Sequence, residues 1–179
     1  MQSPLSGKSS YLVRIVEVDL LGRRTLGQYA YLLEAGLDGG PDRIGDIAVV
    51  GPRTLLVMEH DGKAGKESFK RVYQVSLEGA TNLQLLPERV SGPGGSLEGM
   101  SLPELEAAGV VPAKKIKFID LVAAGITESK VEGVELVDDS TLAIAVDNDF
   151  GVDGDMDRQH GLAEMKDEKP VIYLLRSLV

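Results

Sequence analysis

The chain has no cysteine and no tryptophan, only three phenylalanines, and two histidines. Without cysteine there are no disulfides, no thiolate metal sites and no cysteine nucleophile. No apolar stretch approaches the ~18 residues of a membrane-spanning helix. Met1–Ser10 is polar and lacks the apolar centre of a secretion signal. The sequence therefore reads as a soluble protein with no membrane partner, extracytoplasmic only if a longer form carries a leader. Basic residues are also scarce, with 19 Lys and Arg against 28 Asp and Glu and a net charge of −9. A bare nucleic acid or phospholipid surface would repel such a protein. A polyanionic substrate would need a bridging cation or a local basic pocket. The densest basic run, Lys114-Lys115-Ile116-Lys117, alternates within a strand pattern and reads as a solvated strand face. Three catalytic signatures are missing: the Gly-x-Ser-x-Gly elbow, a phosphate-cradling glycine loop opening a helix, and the His-Glu-x-x-His zinc helix.

What is present is a long-range echo. Arg43 to His60 reads RIGDIAVVGPRTLLVMEH, and Lys130 to Asp147 reads KVEGVELVDDSTLAIAVD, an ungapped alignment at an offset of 87 residues. Each copy has a basic residue, a β-branched residue, a step containing one acid and one glycine, an apolar run, a turn, Thr-Leu and a second apolar run. Self-similarity at fixed period marks repeat architecture. Strand–turn–strand units point to propeller blades rather than helical solenoids. With 179 residues, 43% of them apolar, and 21 glycines, the chain suits a single all-β domain rich in tight turns.

Strands are expected at Tyr11–Asp19, Gln28–Glu34, Ile44–Val50, Thr54–Glu59, Arg71–Leu77, Lys115–Leu121, Val131–Val137, Thr141–Asp147 and Val171–Leu175. Ser101 followed by Glu104 forms a capping box for one short helix, and Gly109 stops it. Gly151–Lys169 reads as an acidic loop. The expected organisation is one domain over 1–179, with repeat units at about 11–82 and 114–175. About nine strands make roughly two antiparallel four-stranded blades, and two blades do not close a ring of the usual 4–8 or so. Further blades from a longer protein, or self-association, should complete it.

The segment KVEGVELVDDSTLAIAVDNDFGV resembles the closing blade of the phytase-like propeller family, known for the esterase-like activity of phytase. RIGDIAVVGPRTLLVMEHDG and RVYQVSLEGATN resemble its preceding repeat, so the likeness covers most of residues 43–175. It implies a calcium-dependent phosphoric ester hydrolase acting on a small phosphorylated ligand. A non-catalytic propeller with structural calcium is the alternative, because one fold hosts many functions.

Within that frame, Glu132 stands at the entry to an inner strand, where a carboxylate facing a central channel can join the roughly six to eight oxygen ligands of Ca²⁺. Asp147, Asn148 and Asp149 follow the second hairpin and complete the first-choice metal set. Glu59, His60 and Asp61 hold the matching place in the first repeat, and Asp46 echoes Glu132 one residue out of step, so these four are candidate substrate contacts. Turn chemistry is the competing reading, since Asp and Asn favour tight turns without any ligand. Asp153, Asp155, Asp157 and Glu164 stand at positions 1, 3, 5 and 12 of a calcium loop and form a second-choice set. Arg158 occupies position 6, where such a loop needs glycine. His160 reads as a surface histidine.

Overall fold

The computed structural model describes residues 10–34, 43–86, 97–157, 159–165, 167 and 169–176, the side chains of 153–156 excepted. Its strands are all antiparallel. The first hairpin joins β1 (Leu12–Asp19) to β2 (Arg24–Leu32). The Asp19 carboxylate makes that turn by accepting the Leu21 amide at 3.1 Å and the Gly22 amide at 2.9 Å. A four-stranded meander follows, β3 (Arg43–Gly51), β4 (Thr54–His60), β5 (Lys70–Ser76) and β6 (Lys114–Asp120), paired in chain order. A third sheet holds β7 (Val131–Asp138), β8 (Thr141–Val146) and β11 (Val171–Arg176), with β8 in the middle. Between β8 and β11 lies a separate hairpin of β9 (Val152–Asp157) and β10 (Leu162–Met165).

The three larger units stack as layers with β4 at the centre. In a strand, alternate residues face opposite sides. Leu55 and Val57 pack with Val13, Tyr29 and Tyr31 of the first hairpin. Leu56 and Met58 pack with Val134, Leu142 and Ile144 of the third sheet. Burial on both faces explains the weak alternation of TLLVMEH. The outer side of the first hairpin is covered in turn by Leu83, Leu97, Leu105 and Val110, which meet Leu12 and Ala30. Leu105 lies on the helix α1 (Leu102–Ala107), where the Glu104 carboxylate accepts the Ser101 amide at 2.7 Å and Gly109 ends the element at φ 74°.

The echo survives as matching distortion. The β3–β4 ladder slips between Ile44 and Asp46 and again between Val49 and Gly51. The β7–β8 ladder slips between Val131 and Gly133 and between Leu136 and Asp138, each step 87 residues further on. Bulges bend and twist a strand, so both hairpins carry the same curvature, and β3 lies against β7. A Cβ on Gly45 would sit 3.0 Å from the Val131 carbonyl, and one on Gly133 would sit 2.8 Å from the Ala145 Cβ. Glycine at these two positions permits the close approach.

Two expectations are corrected. Lys114–Asp120 does not open a second unit; it hydrogen-bonds to β5 as the outer strand of the first four-stranded sheet. Lys114 and Lys117 are exposed there, which blunts a sheet edge, but Lys115 is turned inward. The acidic stretch after Gly151 is also not a loop, because β9 pairs with β10.

Candidate functional site

The ends of β4 and β8 and the start of β7 lie at one end of the layers. The Asp147 amide donates to the Lys130 carbonyl at 2.8 Å, and the Gly65 amide, in the loop after β4, donates to the Thr127 carbonyl at 2.7 Å before β7. The loop between β4 and β5 is thereby tied to the segment that enters β7. Between them opens a pocket of about 330 Å³, lined by Ala64, Glu128, Ser129, Lys130, Val146, Asp147, Asn148, Lys169 and Val171.

Lys130 dominates the electrostatics of this end. Its ammonium is 3.1 Å from the Asp149 carboxylate and half-exposed. Asp149 raises its pKa most, and Glu132 and Asp147 add to the effect. Asp149 and Phe150 are consecutive non-glycine residues at φ 52° and 60°. Such backbone is disfavoured by about 1–2 kcal/mol per residue, and here it sets the Asp149 carboxylate against Lys130. Glu128, also in the lining, is pushed up by burial, but the Tyr173 hydroxyl and nearby amides outweigh this and hold it below the usual carboxylate range.

Of the first-choice metal set, Glu132, Asp147 and Asp149 gather around Lys130, and Asn148 lines the pocket beside it. Among the described residues no three acidic or histidine side chains converge as a metal site. The Lys130 ammonium partly neutralises this acidic set through its ion pair with Asp149. In the second-choice set, the Asp153 and Asp155 side chains lie outside the described residues. Asp157 closes the β9–β10 turn, accepting the Gln159 amide at 2.9 Å and bonding the His160 ring at 2.7 Å. Glu164 is exposed on β10, its backbone opposite Asp153.

The four candidate substrate contacts are all engaged within the protein. Asp46 accepts the Val134 amide at 2.9 Å and fastens β3 to β7. Asp61 accepts the Lys63 and Phe69 amides, each at 3.0 Å, and so shapes the loop between β4 and β5. His60 is buried and its Nδ1 accepts the Gly62 amide at 3.1 Å, which leaves the proton of the neutral ring on Nε2. Burial and the charges of Lys70 and Arg43 lower its pKa. Glu59 points to the opposite face and is fully buried. It accepts the Tyr31 hydroxyl, the Glu34 amide at 2.8 Å and the Lys115 ammonium at 2.6 Å. Glu59 is therefore a core ion-pair partner and not a rim ligand. The Lys115 ammonium also sits 4.9 Å from the Tyr31 ring centroid and 4.4 Å from that of Tyr73, whose hydroxyl burial pushes up to about 12.

The sequence reading missed Lys130, Lys169, Glu128 and Tyr173. Lys130 left one signal: it aligns with Arg43 as the basic residue opening each repeat.

The family model for phytase-like proteins, described as esterase-like activity of phytase, matches residues 1–150. The chain belongs to the phytase-like family. The match takes in the first hairpin, the four-stranded sheet and the β7–β8 hairpin, and ends at the strained Asp149–Phe150 turn. Neither the curated proteins nor the solved structures include a match to this phytase-like chain.

Proposed function

We propose that this phytase-like chain forms successive blades of a β-propeller and that its rim pocket binds a small phosphorylated molecule and hydrolyses its phosphoric ester. The observation that carries the reading is the pocket lining, where Lys130 and Lys169 stand with Ser129 and Asn148 on a protein of net charge −9. A phosphate dianion needs local cations, and Lys130 and Lys169 supply two beside the carboxylates of Glu128 and Asp147. Lys130 turns from Asp149 to the phosphate, and Ser129 and Asn148 supply neutral hydrogen bonds. Asp147, exposed at the same pocket, is the carboxylate we assign to deprotonate the attacking water. Calcium would supply Lewis acidity, but the described carboxylates do not form its cage, so no step is assigned to it.

The test is calorimetric titration with phytate and with inorganic phosphate at low salt, together with hydrolysis of an aryl phosphate in calcium and in chelator. Lys130→Ala should abolish binding, while Asp147→Asn should keep binding and lose turnover. Binding unaffected by Lys130→Ala would remove the pocket assignment. The second reading, a binding module without turnover, is favoured by the engagement of Asp46, Glu59 and Asp61 in structural bonds. Phosphate binding with no hydrolysis in either buffer would select it.

A further inference from the structure

The two repeats leave their second hairpin strand differently. At the 87-residue offset, His60-Asp61-Gly62-Lys63 corresponds to Asp147-Asn148-Asp149-Phe150. Gly62 has φ 71°, and its equivalent Asp149 has φ 52°. The first repeat makes this left-handed step with glycine, which adopts it without steric cost. The second makes it with aspartate and adds another at Phe150, with φ 60°, where Lys63 has no such backbone. A bulky side chain in that region is unusual. The turn itself does not require it, as the first repeat demonstrates. Strain of this kind collects at functional sites.

The strain also displays one ring. Phe150 is 91% exposed. It follows Asn148, which lines the pocket, and Asp149, whose carboxylate meets the Lys130 ammonium. Two backbone bonds fix the segment: the Asp147 amide on the Lys130 carbonyl and the Gly151 amide on the Asn148 carbonyl, each at 2.8 Å. Neither depends on the Lys130–Asp149 ion pair, so the turn stays in place when Lys130 engages an anion. Nor is the ring waiting for an adjoining blade. The third sheet already adjoins the first repeat at this end, and Lys63 is exposed there all the same.

The pocket has two characters. Lys130 and Lys169 bring charge, while Ala64, Val146 and Val171 are apolar. A phosphate group alone leaves the apolar part unused. We propose that Phe150 is a specificity-determining residue, its ring packing against the organic part of the phosphorylated ligand, so that the pocket selects phosphate esters carrying a flat aromatic group. This rests on the phosphate-pocket reading above but not on turnover. An aromatic group can stack on the Phe150 ring or meet it edge to face, whereas a polyol offers no such face. A ring already held in position loses little freedom on binding.

Calorimetric titration of the whole chain with phenyl phosphate, glycerol phosphate and inorganic phosphate tests this. The wild type should bind phenyl phosphate about three- to tenfold more tightly than glycerol phosphate. Phe150→Ala should erase that preference and keep its affinity for inorganic phosphate, while Phe150→Tyr should retain the preference. At this exposure the side chain contributes little packing, so both variants should fold, checked by circular dichroism melts. Inorganic phosphate bound with no preference for phenyl phosphate, or a preference that survives Phe150→Ala, would overturn the role of Phe150 and leave the phosphate pocket standing. A folded Phe150→Ala protein that loses inorganic phosphate as well would also overturn it, because the residue would then be holding the turn. Binding of none of the three by the wild type would overturn both readings.

Discussion

Lys115 gives the sharpest test of how the first hairpin is held. Replacing it with Met keeps the length and apolar stem but removes the ammonium. Glu59 is then left as a fully buried carboxylate that, among the described residues, keeps the Tyr31 hydroxyl and the Glu34 amide. Removing one partner of a buried ion pair costs about 3–5 kcal/mol, because the other charge remains uncompensated. Both side chains are largely withdrawn from water, Lys115 at 14% and Glu59 at 0% exposure, so solvent screening reduces this little. For a chain of this size each kcal/mol is about 2–4 °C of melting temperature, giving a loss of roughly 6–20 °C. Glu59→Gln should cost less, about 1–3 kcal/mol, since Lys115 keeps Glu34 at 3.3 Å and two aromatic faces. The double variant should recover about 1–2 kcal/mol relative to the sum of the single changes, the signature of direct coupling. Urea and thermal melts of the four proteins measure all of this. A Lys115→Met protein within about 0.5 kcal/mol of wild type would refute the account of a charged core pair.

Stability should also depend on pH through His60. Its folded pKa is lowered, so the unfolded chain takes up the proton first as pH falls. The stabilisation is complete above the unfolded value of about 6.5 and is lost as pH drops through it toward the folded value. His60→Gln should flatten that slope in melts between pH 7 and 5. Gly45→Ala should destabilise by about 1–3 kcal/mol by driving β3 away from the Val131 carbonyl. Asp46→Asn should be milder than Asp46→Ala in the same melts, because the amide oxygen still accepts the Val134 N–H.

The strands were legible in the sequence because periodicity and turn residues are local signals. The echo was legible as two matching hairpins, while their shared bulges emerge only from the strand ladders. Partner choice between strands was not local. Nothing within Lys114–Asp120 says that it pairs with β5, or that Lys115 reaches back to Glu59. The β9–β10 hairpin was hidden because alternating aspartates mimic a metal loop while their period of two also fits a strand. At the rim, the Lys130–Asp149 ion pair was not legible either, because no local pattern sets the Asp149 carboxylate against Lys130.

The order of strand pairing bears on how the chain reaches its fold. β1 with β2, β3 with β4, β4 with β5 and β7 with β8 are sequence neighbours, and short loops close fast. Two pairings span distance: β5 joins β6 across residues 77–113, and β8 joins β11 across residues 147–170. Late closure of those two ladders would set the refolding rate, since non-local contacts must first overcome loop entropy. Amides of β6 and β11 should then gain hydrogen-exchange protection after those of β3 and β4. Until they do, β5 and β8 present open edges to solvent, and the newly made chain is most exposed to misassociation during that interval.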